Sequence, residues 1–234
     1  KNAEGMRAVD QIVTEFVTEA NNSICDMLRE KNCLSGGTTF AMLYFIDGLA
    51  KLYYLGDSRI YMQDEEDLIC LTRVHTLANQ KFDAGIYTEA QAKKSADQHR
   101  LTLYVGVDKN GLGLNADSRP PVALQPGRKF LLCTDGLVDM CSEQEIQDIL
   151  SQDYFNEAAV LVQTAVNYGG IDNVTCIVLE VIPIEESAEL ESDPMLTDNI
   201  QSNKTIKQKS GIPNGIPDFL SADILSCYLV TVNF

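Results

Sequence analysis

Basic residues are scarce in this chain. Its 234 residues hold 18 Lys and Arg against 34 Asp and Glu, a formal net charge of −16. Binding a nucleic-acid backbone needs clustered Lys and Arg, so no nucleic-acid partner is expected, and an anionic membrane surface is disfavoured for the same reason. No apolar run approaches the roughly 18 residues that a membrane span requires. No basic segment followed by an apolar stretch opens the chain, so no signal peptide is legible. The first residue is Lys rather than Met, from which a missing N-terminus is expected. The two histidines, His75 and His99, offer no catalytic triad, and the seven cysteines contain no Cys-x-x-Cys pair. Cys133 and Cys176 sit inside apolar segments and read as free, buried thiols of a reducing, cytoplasmic compartment. Asn-x-Ser/Thr triplets at Asn21, Asn173 and Asn203 read as chance occurrences.

What is present suffices for one sizeable core plus an appendage. Residues 3 to 31 read as a long helix, with Met6, Val9, Ile12, Val13, Phe16, Val17, Ala20, Ile24, Met27 and Leu28 at helical spacing. A meander of strands follows over 38–46, 49–55, 60–63 and 67–72, with Asp47-Gly48 as a hairpin turn and Gly56-Asp57-Ser58 as a second turn. Short helices are expected over 77–84 and 89–96, and strands over 112–117 and 129–133. Ser142-Glu143-Gln144-Glu145 has capping-box spacing and opens a helix to 150. A second amphipathic helix covers 155–168 and ends at Gly169-Gly170, and a last strand covers 174–181. This order implies an α+β sandwich. From Pro183 the chain turns acidic and of low complexity over 185–194, then loop-like over 211–217 and strand-prone over 224–234. The expected organisation is one domain over 1–183, and a linker and tail of unknown fold over 184–234.

Two aspartates stand where an apolar strand meets a loop. Asp135 lies in Cys133-Thr134-Asp135-Gly136-Leu137, and Asp172 lies in Gly169-Gly170-Ile171-Asp172-Asn173-Val174-Thr175. Carboxylates at strand ends hold hard cations such as Mg²⁺ and Mn²⁺. Upstream lie Ser35-Gly36-Gly37-Thr38-Thr39, Gly56-Asp57-Ser58-Arg59 and Leu71-Thr72-Arg73-Val74-His75-Thr76. In this order, over residues 1 to 183, these blocks resemble the bacterial metal-dependent protein serine/threonine phosphatases of the PPM type (type 2C). The resemblance implies a central antiparallel β-sandwich flanked by helices. It implies hydrolysis of phosphoserine and phosphothreonine on proteins, with a Ser/Thr kinase among the partners, by a water activated between two Mg²⁺ or Mn²⁺ ions. No side chain would act as a covalent catalyst. By resemblance Asp135 ligates one ion, Asp172 helps to hold the pair, and Asp139 corresponds to a ligand of a weaker third ion.

The chain departs from that family in two places. Val74 stands where the family has an Asp that serves the third ion, which leaves that ion in doubt. The family's N-terminal metal aspartates and phosphate-gripping arginine have no counterpart, so the visible chain alone is expected to be N-terminally truncated and catalytically silent. A non-catalytic phosphatase-like module that binds a partner protein is the alternative. Gly56-Asp57-Ser58-Arg59 reads as a turn in which Asp57 and Ser58 hydrogen-bond backbone groups. Gly36-Gly37-Thr38-Thr39 lacks a Walker lysine and leads into a strand, so it is no phosphate loop.

Overall fold

Alternating side chains divide between two faces along the strands of residues 37–46, 49–55, 59–64 and 129–133. A computed structural model describes residues 2–64, 67–107, 113–152, 154, 156–182 and 226–233; the acidic segment 185–194 and the segment 211–217 lie outside them. Helix α1 spans Asn2–Glu30, followed by strands β1 (Gly37–Ile46), β2 (Leu49–Leu55), β3 (Arg59–Asp64) and β4 (Asp67–Cys70). Helices α2 (Leu77–Asp83) and α3 (Glu89–Lys94) and a 3-10 turn (Ala96–His99) come next. Then follow β5 (Asp117–Ser118), β6 (Val122–Ala123), β7 (Lys129–Cys133), α4 (Asp135–Val138), α5 (Glu143–Ser151), α6 (Glu157–Asn167), β8 (Cys176–Glu180) and β9 (Ser226–Asn233).

The strands form two antiparallel sheets. One runs β5-β2-β1-β9 with β6 also on β2, and the other runs β4-β3-β7-β8. Ala41, Leu43, Ala50, Leu52 and Tyr54 of the first sheet meet Ile60, Met62, Phe130 and Leu132 of the second in the central core. The ring of Phe45 lies edge-on to that of Phe130, centroids 6.0 Å apart. The residues of the opposite phase in each strand face outward and are covered by helices. Tyr61, Leu131 and Cys133 pack under Leu137, Ile146, Leu150 and Leu161 of α4 to α6, while Phe40, Tyr53 and Leu55 pack under Val9, Val13 and Val17 of α1. Two inner sheets with helices on both outer faces are the sandwich expected from the pattern, each fully buried Leu or Phe contributing about 1.5–3 kcal/mol.

Local rules account for the turns and caps. Asp47 and Gly48 take φ of 50° and 72°, the paired left-handed conformation of a two-residue hairpin. Ser142 and Glu145 close a reciprocal capping box on α5. Several expectations need correction. Ile12 and Phe16 of α1 are exposed, at the margin of the buried Val9-Val13-Val17 stripe, although the Phe16 ring still lies 6.0 Å from that of Phe40. Residues 113–116 form no strand; β5 is two residues long, and β6 was not foreseen beside the proline pair at 120–121. The strand-prone tail does form a strand, β9, antiparallel to β1 with Thr39 opposite Thr231.

Asn21 is buried, so that triplet is inaccessible for glycosylation. Its carbonyl accepts the Gly106 N–H at 2.7 Å and its amide donates to the Val107 carbonyl at 3.2 Å, tying α1 to the segment after the 3-10 turn. Asn21→Ala should therefore cost about 1–3 kcal/mol by stranding a buried N–H. Urea unfolding measures it, and an unchanged midpoint would show that the tie is dispensable.

Candidate metal centre

The ends of β3, β7 and β8 converge because of their pairing registers. Arg59 faces Cys133 in the β3–β7 ladder, so two residues beyond the ladder Asp57 falls opposite Asp135. Cys133 faces Cys176 in the β7–β8 ladder, which brings the 172–175 loop to the same end of the sheet. Thr134 secures the join: its N–H donates to the Thr175 carbonyl at 3.0 Å, and its hydroxyl accepts the Thr175 N–H at 3.1 Å. That hydroxyl therefore makes no capping bond to α4, although Thr134 holds the N-cap position. Gly136 is required by contact. A Cβ there would lie 2.4 Å from the Asn173 carbonyl oxygen.

Asp135 opens α4 and Asp139 follows one turn later, with the Asp139 N–H on the Asp135 carbonyl at 2.9 Å. The i, i+4 spacing puts both carboxylates on one helix face. His99, last residue of the 3-10 turn, approaches from the other side; its Nδ1 is 3.8 Å from Asp139 Oδ2. One donor atom from each of His99, Asp135 and Asp139 lies within 4.8 Å of the others. Asp135 Oδ1 accepts its neighbour's N–H from Gly136, and Asp172 Oδ1 accepts that of Asn173, so both side chains are oriented by their own backbone.

The electrostatics agree with crowding. Burial, then the charges of Asp139 and Asp172, holds the Asp135 carboxyl above the usual range. Half-buried Asp57 is pushed up to about 6, by burial first and then by Asp135 and Asp139. Confining several acids this closely is unfavourable without a counter-charge. Oxygen donors of this kind, with one imidazole, fit a divalent cation of the Mg²⁺ or Mn²⁺ class.

Of the residues expected from sequence, Asp135 and Asp139 are brought together, and Asp172 lies near enough for its charge to act on Asp135. Two members were missed. Asp57, read as turn chemistry, belongs to the acidic group, and the β3–β7 register was the signal that could have placed it. His99 carried no signal. It is delivered by tertiary pairing, a bridge of Thr76 with Leu101. His75, by contrast, is structural: Nδ1 accepts the Gly56 N–H at 3.0 Å, Nε2 meets Asp117 at 3.2 Å, and the ring stacks on Tyr54. Val74 is half-buried and offers no donor.

No protein-family model matches the chain. Among curated proteins it is similar to protein phosphatase PhpP of Streptococcus pneumoniae, 34% identical over 155 residues, which is 65% of this chain and 61% of that protein. The chain thus spans less than two thirds of the length of such relatives. Among solved structures, the S. agalactiae serine/threonine phosphatase superposes with a TM-score of 0.69 at 23% identity, covering 76% of this chain and 72% of that one. The catalytic domain of the serine threonine protein phosphatase PstP, in complex with two manganese ions, superposes with a TM-score of 0.59 at 28% identity, covering 70% of this chain and 67% of that one.

Two outcomes are expected. Gly136→Ala should lose about 1–3 kcal/mol of stability in denaturant titration, since the clash is with backbone and cannot be relieved by a rotamer. The second concerns pH. The folded state holds the Asp57 proton more tightly than the unfolded chain does, so that contribution to stability is complete below about pH 4. It is lost as pH rises through about 6. In metal-free buffer the melting temperature should fall across this interval, and Asp57→Asn should flatten the decline.

Proposed function

We propose that the chain belongs to the PPM-type (type 2C) phosphatase family and that it hydrolyses phosphoserine and phosphothreonine on proteins with the help of bound Mn²⁺ or Mg²⁺. The observation that carries this reading is the convergence of Asp57, Asp135, Asp139 and Asp172 at one end of the second sheet. Asp135 would hold one ion and Asp172 would help to hold the pair, while Asp139 with Asp57, sharing Asp135, would serve a further, weaker one. When bound, two such ions would supply a water of lowered pKa and neutralise charge on the phosphoryl oxygens.

The chain's own groups would orient and hold. Thr134 and Gly136 fix the separation of the two acidic loops, and the Gly136 and Asn173 N–H groups hold the carboxylates in place. Asp57 would give up its proton on accepting a cation, which makes cation uptake proton-linked. A covalent route through cysteine is unsuited to this fold, since burial pushes the Cys133 thiol far above its ordinary range and raises Cys176 to about 11.

We place the protein in the cytoplasm, a reading supported by the free thiols among the described cysteines. A Ser/Thr kinase is proposed among its phosphorylated substrates. No helix among the described residues is long and apolar enough to cross a membrane.

In the full-length protein Asp135→Ala and Asp172→Ala should each abolish Mn²⁺-dependent release of phosphate from a phosphothreonine peptide, with circular dichroism unchanged. Removing one ligand from such a clamp costs several kcal/mol of transition-state stabilisation. Full turnover in either variant would overturn the assignment. A folded, Mn²⁺-binding protein without turnover would favour the non-catalytic binding module.

A further inference from the structure

We propose that His99 is a metal ligand: its Nδ1 joins the carboxylates of Asp135 and Asp139 in a mixed nitrogen–oxygen site that takes Mn²⁺ in preference to Mg²⁺. The inference rests on the metal-dependent reading above and adds a residue and an ion preference to it.

Geometry carries the argument. The 3.8 Å between His99 Nδ1 and Asp139 Oδ2 is too long for a hydrogen bond. It fits two donors on one ion, since two ligand bonds of about 2.1 Å span at most about 4.2 Å. The donor atom of Asp135 lies within 4.8 Å of the other two, so closing onto a shared ion would draw it in by about half an ångström at most.

His99 is also held in place. The 3-10 turn that ends with it is anchored by Asp97, which is buried and receives bonds from Lys81 at 2.5 Å, Tyr87 at 3.1 Å and Arg100 at 3.2 Å. Immediately after it, the Leu77 N–H donates to the Arg100 carbonyl and the Thr102 N–H to the His75 carbonyl, both at 2.8 Å. The backbone on both sides of His99 is therefore fixed, and it carries an exposed imidazole to the edge of the acidic group.

The remaining ring nitrogen has a partner within reach: the Gln98 amide nitrogen lies 2.9 Å from His99 Nε2. Amide oxygen and nitrogen interchange by a half-turn. Turned so that its oxygen meets the ring, Gln98 would accept the Nε2 proton and leave the Nδ1 lone pair facing the carboxylates, the arrangement of an outer partner behind a metal-bound imidazole. An imidazole donor shifts an otherwise all-oxygen site toward transition metals and away from Mg²⁺.

The test uses the full-length protein and Mn²⁺ alone. Electron spin echo modulation of bound Mn²⁺ should show coupling to one imidazole ¹⁴N, absent in His99→Ala and His99→Gln. Both variants should bind Mn²⁺ at least tenfold more weakly, with Mg²⁺ affinity changed less than about twofold and metal-free melting unchanged. Bound Mn²⁺ without nitrogen coupling, or coupling that survives in both variants, overturns the role of His99. If Asp135→Ala abolishes Mn²⁺ uptake in that case, the metal-dependent reading stands without it. If the wild type takes up no Mn²⁺, or Asp135→Ala takes it up with unchanged affinity, the reading and the inference fall together.

Discussion

The junction of Thr134 and Gly136 with Asn173 and Thr175 governs the chemistry of this molecule. Two loops that leave adjacent strands would ordinarily diverge, because each has its own backbone groups to satisfy. Here the Thr134 N–H and hydroxyl take up the Thr175 carbonyl and N–H. The hydroxyl that could have capped α4 is spent on the neighbouring strand. Gly136 then allows backbone to approach backbone to a distance that any side chain would block. Asp135 and Asp172 are thereby held at one sheet end by main-chain contacts, independently of any bound ion. A site preorganised in this way need not be assembled by its ligand, which preserves binding energy for chemistry.

The same junction concentrates like charge. Asp57, Asp135 and Asp139 repel one another, and two of them are partly desolvated, so both sit above the ordinary carboxylate range. Such an arrangement is destabilising in the empty chain and would become favourable with a cation present, as the proposed metal site requires. The contrast with Asp97 is instructive. It too is buried, yet it is surrounded by Lys81, Tyr87 and Arg100, and its carboxyl is held below the usual range, first by the Lys81 bond. One acid is satisfied by the fold and anchors a turn; the others are left for something outside it.

Much of the fold was legible in the chain, and the reasons differ by element. Strands β1, β2, β3 and β7 announce themselves because both faces of each are covered, so residues of both phases are apolar, as in Lys129-Phe130-Leu131-Leu132-Cys133. The caps of α5 were legible because Ser142 and Glu145 interact within one turn. Short elements were not. Helix α4 has four residues, one of them glycine, and β5 and β6 are two-residue pairings whose existence depends on β2. The burial of α1 was over-read, since spacing reports an apolar arc while the sheet decides how much of it is covered. At the site, Asp135 and Asp172 stood out through their strand-end settings. Asp57 did not, because an Asp-Ser turn has a sufficient local explanation and only the register of β3 on β7 sets it beside Asp135. His99 was beyond reach of local reading, since its neighbours in space are 36 and 40 residues ahead in the chain.

The charge of the whole chain bears on the site as well. A formal −16 favours accumulation of divalent cations near the surface and opposes the approach of a phosphorylated, acidic peptide. Under the proposed function the two tendencies would set one order of events: cations would be drawn to the acidic strand ends first, and a phosphoryl group attracted only with them in place. Arg59 lies near this end of the sheet, but its guanidinium donates to the Tyr61 hydroxyl at 3.0 Å and stands 4.0 Å from Glu143. Its charge is already engaged on the α5 side of the sheet. In the proposed function, attraction for a phosphate at this end of the molecule would therefore come chiefly from the cations, and salt that screens the negative field would help substrate approach as long as it did not displace them.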